Sequence, residues 1–335
     1  MRKTVLVTAI GSFSAAAVIG RYKEEGYRVL GCDIYPPEWI VASEEVDRFY
    51  QAPLATDRPA YEAFLRKVCE ENEVEFLVPL TDVEIDALQE WRQEAEALGV
   101  ILCISGKDTI ELCRDKGKLE HFLAPLKVCR TIPGQSLRRI IEREADKGYE
   151  FLEYPLVLKP RNGRSSQGLM RIEDARQMRM AAEWYRKQAG DYLVQPEIPG
   201  IIVTVDVVRD PVTETTVSLP RREHLRTPNG AGTSVYVFED EKLQDQCRAI
   251  AQVLDIRGCV NFEFVEKQER EWYFLECNPR FSGGVAFSCM AGYDMPGNHL
   301  SCFMGRGIDP LGEISGQYLV KRYEEYRMGQ KGGQV

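Results

Sequence analysis

The sequence predicts a mixed protein: an N-terminal α/β domain built on a parallel sheet, then a strand-rich α+β region in two parts. Three observations carry that prediction. Over the first hundred residues, short apolar runs alternate with charged amphipathic stretches of helical length, the pattern of a parallel sheet covered on both faces. Around Ser105-Gly106 the sequence turns into charged, mostly helical segments up to residue 150. From Pro155 onward, short apolar strands separated by polar turns dominate. At roughly 150 residues per domain, 335 residues suffice for two or three domains.

In chain order, Val5-Leu6-Val7, Val29 to Cys32, Phe76-Leu77-Val78 and Val100-Ile101-Leu102 read as buried strands. Ala15 to Glu25, Ala60 to Glu71 and Glu84 to Ala97 read as the helices between them. The second half predicts strands at Leu156 to Lys159, Tyr192 to Gln195, Ile202 to Val208, Thr215 to Leu219 and Ser234 to Phe238. A helix from Glu241 to Leu254 precedes two more strands, Cys259 to Val265 and Trp272 to Cys277, joined by the short polar run Glu266 to Arg270 as in a hairpin. The expected domains are therefore 1–105, 106–190 and 191–335, with a frayed tail from Gly329 to Val335.

Composition excludes several classes. A net charge of −9 argues against general affinity for nucleic acid or anionic lipid. No run of eighteen apolar residues is present, so no membrane span is expected, and the short apolar start is a poor match to a signal peptide. Ten scattered cysteines without a CxxC, several inside apolar runs, fit reduced thiols and a cytoplasmic protein better than a disulfide framework. Three histidines, none beside a cysteine pair, argue against a zinc site.

The most informative segment is Phe274-Leu275-Glu276-Cys277-Asn278-Pro279-Arg280-Phe281-Ser282-Gly283-Gly284. Glu276 and Asn278 share one strand face. If this strand pairs with Asn261-Phe262-Glu263-Phe264, Glu263 joins them, and two carboxylates with an amide oxygen suit Mg²⁺. Arg280 then lies where it can stabilise a phosphoryl group in transfer. The alternative is a solvated polar sheet face.

Lys159 ends an apolar strand and precedes a small-residue loop holding Ser165, Ser166 and Gly168, a pattern able to close over phosphate or to form an ordinary hairpin turn. Lys116 opens a charged helix at Asp115-Lys116. The basic cluster Arg221, Arg222, His224 and Arg226 stands out in an acidic chain as a candidate contact for an anionic substrate or phosphate, or as a solvated loop. Gly11-Ser12-Phe13-Ser14 lies where a dinucleotide loop would, with Asp33 ending the next strand, but lacks the second and third glycines of that motif.

Taken in order, Asp115-Lys116, the strand ending in Lys159 with its loop, Gln195-Pro196-Glu197-Ile198-Pro199-Gly200, Asn261 to Phe264 and Leu275 to Gly284 resemble the ATP-grasp superfamily. Val78-Pro79-Leu80-Thr81-Asp82 and the N-terminal loop resemble the Rossmann-like pre-ATP-grasp domain. The likeness covers nearly the whole chain and is nearest to single-module relatives of the carbamoyl phosphate synthase large chain. It implies a two-subdomain ATP-grasp fold behind that first domain, with ATP and Mg²⁺ (or Mn²⁺ in its place) as cofactors. Lys116 and Lys159 would contact phosphates, Ser165, Ser166 and Gly168 would form the phosphate loop, and Gln195, Glu197 and Ile198 the adenine hinge. Glu263, Glu276 and Asn278 would hold the metal. Arg280 and Lys159 would be the catalytic cations.

The implied activity is ADP-forming carboxylate–amine ligation through an acyl phosphate, on small carboxylate and amine substrates, in a chain whose relatives often form homodimers. Pro196 stands where many relatives have an acidic residue, and Ile202 where a ribose-binding glutamate is often found. Two other readings fit the same residues: a carboxyphosphate-forming subunit like carbamoyl phosphate synthase, and a non-catalytic ATP-binding regulatory module.

Overall fold

The computed structural model describes residues 2–144, 148–164, 167–268 and 270–329. Its first unit is a five-stranded parallel sheet in the order β3-β2-β1-β4-β5. The strands are β1 (Thr4–Thr8), β2 (Arg28–Asp33), β3 (Arg48–Gln51), β4 (Phe76–Val78) and β5 (Ile101–Leu102). Helices α1 (Ala15–Glu24), α2 (Ala42–Glu45), α3 (Arg58–Asn72), α4 (Asp82–Leu88) and α5 (Arg92–Ala97) connect them. Alternation along β1 decides what each face covers. Val5 and Val7 pack with α1, whereas Leu6 packs with Tyr61, Leu65 and Val68 of α3.

Two helices, α6 (Lys107–Arg114) and α7 (Lys116–Leu123), lead to a small four-stranded sheet. Its strands are β6 (Gln135–Ser136), β7 (Leu156–Pro160), β8 (Met170–Ile172) and β9 (Tyr192–Pro196), in the order β6-β9-β7-β8. Helices α8 (Leu137–Glu144) and α9 (Ala175–Trp184) belong to this unit, and Met178, Ala181 and Ala182 of α9 fill a core with Leu156 and Leu158.

The largest sheet has six antiparallel strands in the order β14-β13-β10-β11-β12-β15. They are β10 (Ile201–Asp210), β11 (Thr215–Arg226), β12 (Gly232–Val237), β13 (Gly258–Glu266), β14 (Trp272–Asn278) and β15 (Gln317–Val320). Around it lie α10 (Glu241–Val253), α11 (Val285–Met290) and α12 (Met295–Met304). Val203, Val205 and Val207 face α10 and also receive Cys113, Leu119 and Leu123 from α6 and α7.

The opposite face of the large sheet is split. Val208, Val217, Leu219 and Val235 pack toward the parallel-sheet unit in a core shared with Val18 and Tyr22. Further along, the same face turns polar: Asp206, Arg221, Glu223 and Asn261 are all buried there. Burying so many polar groups is costly unless they are paired, which marks this stretch as the region to inspect for chemistry.

Candidate functional site

The site begins with a register. Strands β13 and β14 form the expected hairpin, and Glu263 lies directly opposite Glu276, as Asn261 lies opposite Asn278. Two carboxylates therefore meet on the polar face, and Asn278 Nδ2 donates to Glu276 Oε1 at 3.2 Å. Burial and the neighbouring charge of Glu276 push the Glu263 carboxyl up to about 7, against the pull of Arg226. Burial also acts to raise Glu276, but Lys116 and Lys159 outweigh it and hold this carboxyl below the usual range. Like charges apposed in this way favour a bound cation.

The cationic half comes from elsewhere in the chain. Lys116, at the start of α7, places Nζ 3.2 Å from Glu276 Oε2 and 2.8 Å from the carbonyl of Gly163. Lys159, near the end of β7, is 9% exposed. Burial pulls its ammonium down to about 8, Lys116 adding to that effect and Glu276 and Glu263 opposing it. The loop after β7 is tied to its surroundings by charge. Arg161 forms a bidentate pair with Asp115 at 3.0 and 2.9 Å, and Arg164 pairs with Asp86 of α4. Gly168 has φ +72°, and a Cβ there would meet Pro160 Cγ at 2.9 Å, so this turn takes glycine for both reasons. Ser165 and Ser166 lie outside the described residues.

Between the small and large sheets lies a cleft of about 350 Å³ that brings together Lys116, Lys159, Gln195, Glu197, Ile198, Glu263 and Glu276. One end is ionic. The other is apolar, walled by Ile132, Val157 and Leu169 on one side and Ile202, Val265 and Leu275 on the other. Gln195 is buried and spends its side-chain amide on the Ile132 carbonyl at 2.6 Å. The Glu197 carboxylate turns to Arg171 at 2.5 Å, while its backbone N–H donates to Pro155 at 3.1 Å. Ile202, at the position noted for a ribose-binding glutamate, adds to the apolar wall.

Arg280 is held across the boundary with the first unit. Its Nε donates to Asp82 Oδ2 at 3.0 Å and its Nη2 to Asn278 Oδ1 at 3.3 Å. Burial acts to raise Asp82, but Arg280 and Arg114 reverse this and hold its carboxyl below the ordinary value.

The basic cluster divides. Arg221 is 1% exposed, ion-paired with Asp206 at 2.7 Å and bonded to Ser282 at 2.9 Å. It braces the turn after Arg280. A β-bulge beyond Glu223 re-aims Arg226 onto the polar face, 3.2 Å from Glu263. Arg222 and His224 do not join them. Arg222 pairs bidentately with Glu266 over the Phe238 ring, and His224 is exposed beside Tyr318. Alternation along β11 sends both to the other side.

The sequence reading missed Asp206, Glu223 and the apolar wall of the cleft. Only Asp206 left a signal, an acid between two valines in a strand.

Among the described residues no group of three His, Cys, Asp or Glu gathers as a metal site. Two carboxylates with one amide instead fit a hard cation that completes its shell with phosphate oxygens. No helix among the described residues is long and apolar enough to cross a membrane.

Known proteins share parts of this sequence and its fold. Residues 188–326 match the family described as "ATP-grasp in the biosynthetic pathway with Ter operon", and residues 5–103 match "PylC-like, N-terminal domain". The arginine-specific carbamoyl phosphate synthase large chain of Bacillus subtilis (strain 168) is 24% identical over 306 residues, covering 86% of this chain and 29% of its own length. The chain thus spans under a third of that relative.

Among solved structures, the biotin carboxylase domain dimer of Hydrogenobacter thermophilus 2-oxoglutarate carboxylase, in complex with MgADP, ADP and bicarbonate, superposes with a TM-score of 0.77. Identity is 18%, over 95% of this chain and 73% of that one. N5-carboxyaminoimidazole synthetase from Staphylococcus aureus, complexed with ADP, gives 0.74 at 16% identity, over 94% and 81%. The fold is that of ATP-grasp enzymes.

Proposed function

For an ATP-grasp protein related to the large chain of carbamoyl phosphate synthase, which this chain is, we propose ADP-forming ligation of a small carboxylate to an amine through an acyl phosphate. The observation that carries the reading is the apposition of Glu263 and Glu276 against Lys116 and Lys159 at the ionic end of a cleft whose other end is apolar. A purine ring suits the apolar end, between Val157 and Leu169 on one side and Ile202 and Val265 on the other, with the backbone of Glu197 and Ile198 at its edge. The polyphosphate then points toward Lys159 and Lys116. Glu263, Glu276 and Asn278 would hold Mg²⁺, which when bound neutralises phosphate charge and orients the transferred group.

The remaining catalysis comes from this chain's own cations. Lys116 exchanges its bond to the Gly163 carbonyl for phosphate oxygen, and Lys159 sits preorganised in a buried position. Arg280, fixed by Asp82, faces charge developing on the phosphoryl group as the substrate carboxylate attacks it. Attack of the amine on the acyl phosphate then expels phosphate and forms the C–N bond. The Arg161–Asp115 and Arg164–Asp86 pairs anchor the segment that follows β7 beside the cleft.

Hydroxylamine, supplied in place of the amine with ATP, Mg²⁺ and pooled small carboxylates, tests this directly. The expected product is a hydroxamate formed in step with ADP and lost in Lys159→Ala. ADP release with no hydroxamate from any organic carboxylate, but stimulated by bicarbonate, would favour the carboxyphosphate-forming alternative.

A further inference from the structure

A second and larger cavity, about 920 Å³, lies in the parallel-sheet unit, apart from the nucleotide cleft. Its position follows from topology. The chain leaves β1 toward β2 and β3 on one side and returns to β4 and β5 on the other, which opens a crevice at the carboxyl ends of β1 and β4. Ala9 follows β1, Asp33 ends β2 and Thr81 follows β4, and all three line the cavity.

The walls select the occupant. Ile10, Ile40 and Leu54 supply aliphatic surface, and Tyr35, Trp39 and Tyr61 supply rings. Trp39 is 72% exposed and leans on Tyr35 with ring centroids 6.0 Å apart, forming an aromatic rim. The charged lining is wholly acidic: Asp33, Glu45 and Glu84, with no lysine or arginine among the lining residues.

Asp33 and Glu84 are both buried, and neither has a cationic partner among the described residues. Asp33 accepts the N–H groups of Gly11 at 2.8 Å and Tyr35 at 3.2 Å, and Glu84 accepts the hydroxyls of Thr81 at 2.8 Å and Tyr61 at 3.2 Å. Burial pushes the Glu84 carboxyl up to about 7, against hydrogen bonds from Thr81, Thr8 and Tyr61 that favour its ionised form. A phosphate-bearing ligand would meet negative charge here, and the Gly11 N–H that could have received it is committed to Asp33.

We infer that this cavity binds a small organic cation, a primary amine on an aromatic or aliphatic body, with its ammonium between Asp33 and Glu84 and its body against Tyr35 and Trp39. The cavity also adjoins the reaction centre, because Thr81 and Val83 flank the Asp82 that holds Arg280. Its use as the amine-substrate pocket rests on the ligase reading, whereas the binding itself does not.

Calorimetric titration of the full chain without nucleotide separates the two. The probes are tyramine and cadaverine, the neutral N-acetyltyramine, the anionic 3-(4-hydroxyphenyl)propionate, and NAD⁺. The expected result is that at least one amine binds, that the neutral and anionic analogues bind about tenfold more weakly or worse, and that Glu84→Gln weakens the amine by a similar factor. Trp39→Ala, at an exposed rim position, should weaken tyramine while leaving the thermal melt unchanged.

Failure of both amines to bind, equal binding of the three tyramine-related probes, or binding of NAD⁺ in preference to them would overturn the inference. Should Glu84→Gln fail to fold, the analogue comparison on the unaltered chain still decides. Nucleotide binding by the other cleft is measured independently, so a negative here leaves the ligase reading standing.

Discussion

If Glu276 is a metal ligand, as proposed, replacing it with Gln should separate metal binding from nucleotide binding. In the cleft, Lys116 and Lys159 balance Glu263 and Glu276, so the four groups sum to zero charge when all are ionised. The substitution keeps shape and most hydrogen-bonding capacity but leaves the set one charge positive. At 3.2 Å, the Lys116–Glu276 attraction is about 5 kcal/mol at an effective dielectric of 20. Both side chains keep some solvent contact, at 12% and 23% exposure, and Lys116 retains its bond to Gly163, so the net loss of stability is about 1–2 kcal/mol.

The effects on ligands should run in opposite directions. ADP in EDTA loses a repelling carboxylate and should bind about tenfold more tightly, whereas the tightening of ADP by Mg²⁺ should fall about a hundredfold, or about 2.7 kcal/mol. Titration calorimetry with ADP, with and without Mg²⁺, reads both. A Glu276→Gln variant whose Mg²⁺ enhancement equals that of the parent would refute the metal assignment.

Other expectations concern the supports of the site. Asp82→Asn removes the charge that fixes Arg280, and should lower the rate of ADP release about tenfold to a hundredfold at unchanged nucleotide Kd, with about 2–3 kcal/mol lost in denaturant unfolding. Gly284→Ala puts a Cβ 2.8 Å from Nη2 of buried Arg221, and should cost about 1–3 kcal/mol in the same unfolding assay.

His299 supplies one pH-dependent part of the stability. It is buried, accepts the Cys259 N–H at 2.8 Å, and is pulled down to about 3 by burial, against a backbone contact that raises it. Its neutral ring contributes fully above the unfolded value near 6.5, and that contribution is lost as pH falls toward 3, about 3 kcal/mol by pH 4. The slope of stability against pH between those values should flatten in His299→Gln.

How much of this was legible depends on the kind of signal each residue left. A short polar turn suggested a hairpin, and alternation would bring Glu263 to the face of Glu276 and Asn278 if its strands paired; the structure pairs them, with Glu263 opposite Glu276. The parallel sheet was readable from its apolar runs, but β3, Arg48–Gln51, was not, because a partly exposed edge strand needs no apolar run. The helix expected from Glu84 to Ala97 is two helices, α4 and α5, broken before buried Trp91. No proline or glycine marks that break; packing makes it.

Charge partners were least legible. Arg221, Arg222, His224 and Arg226 form one basic run in sequence, yet strand alternation and a bulge divide them between two faces. Arg280 was expected to face phosphate, while its anchor Asp82 lies 198 residues away. Pairing at that separation is a property of the fold and leaves no local pattern.

The most direct test of the central claim is the fate of ATP itself. With Mg²⁺ and pooled small carboxylates or bicarbonate, each with and without ammonia, ADP and phosphate should form in equal amounts, dependent on one pool and abolished in Glu276→Gln. AMP and pyrophosphate as products, or no detectable binding of Mg·ATP to the unaltered chain, would contradict it.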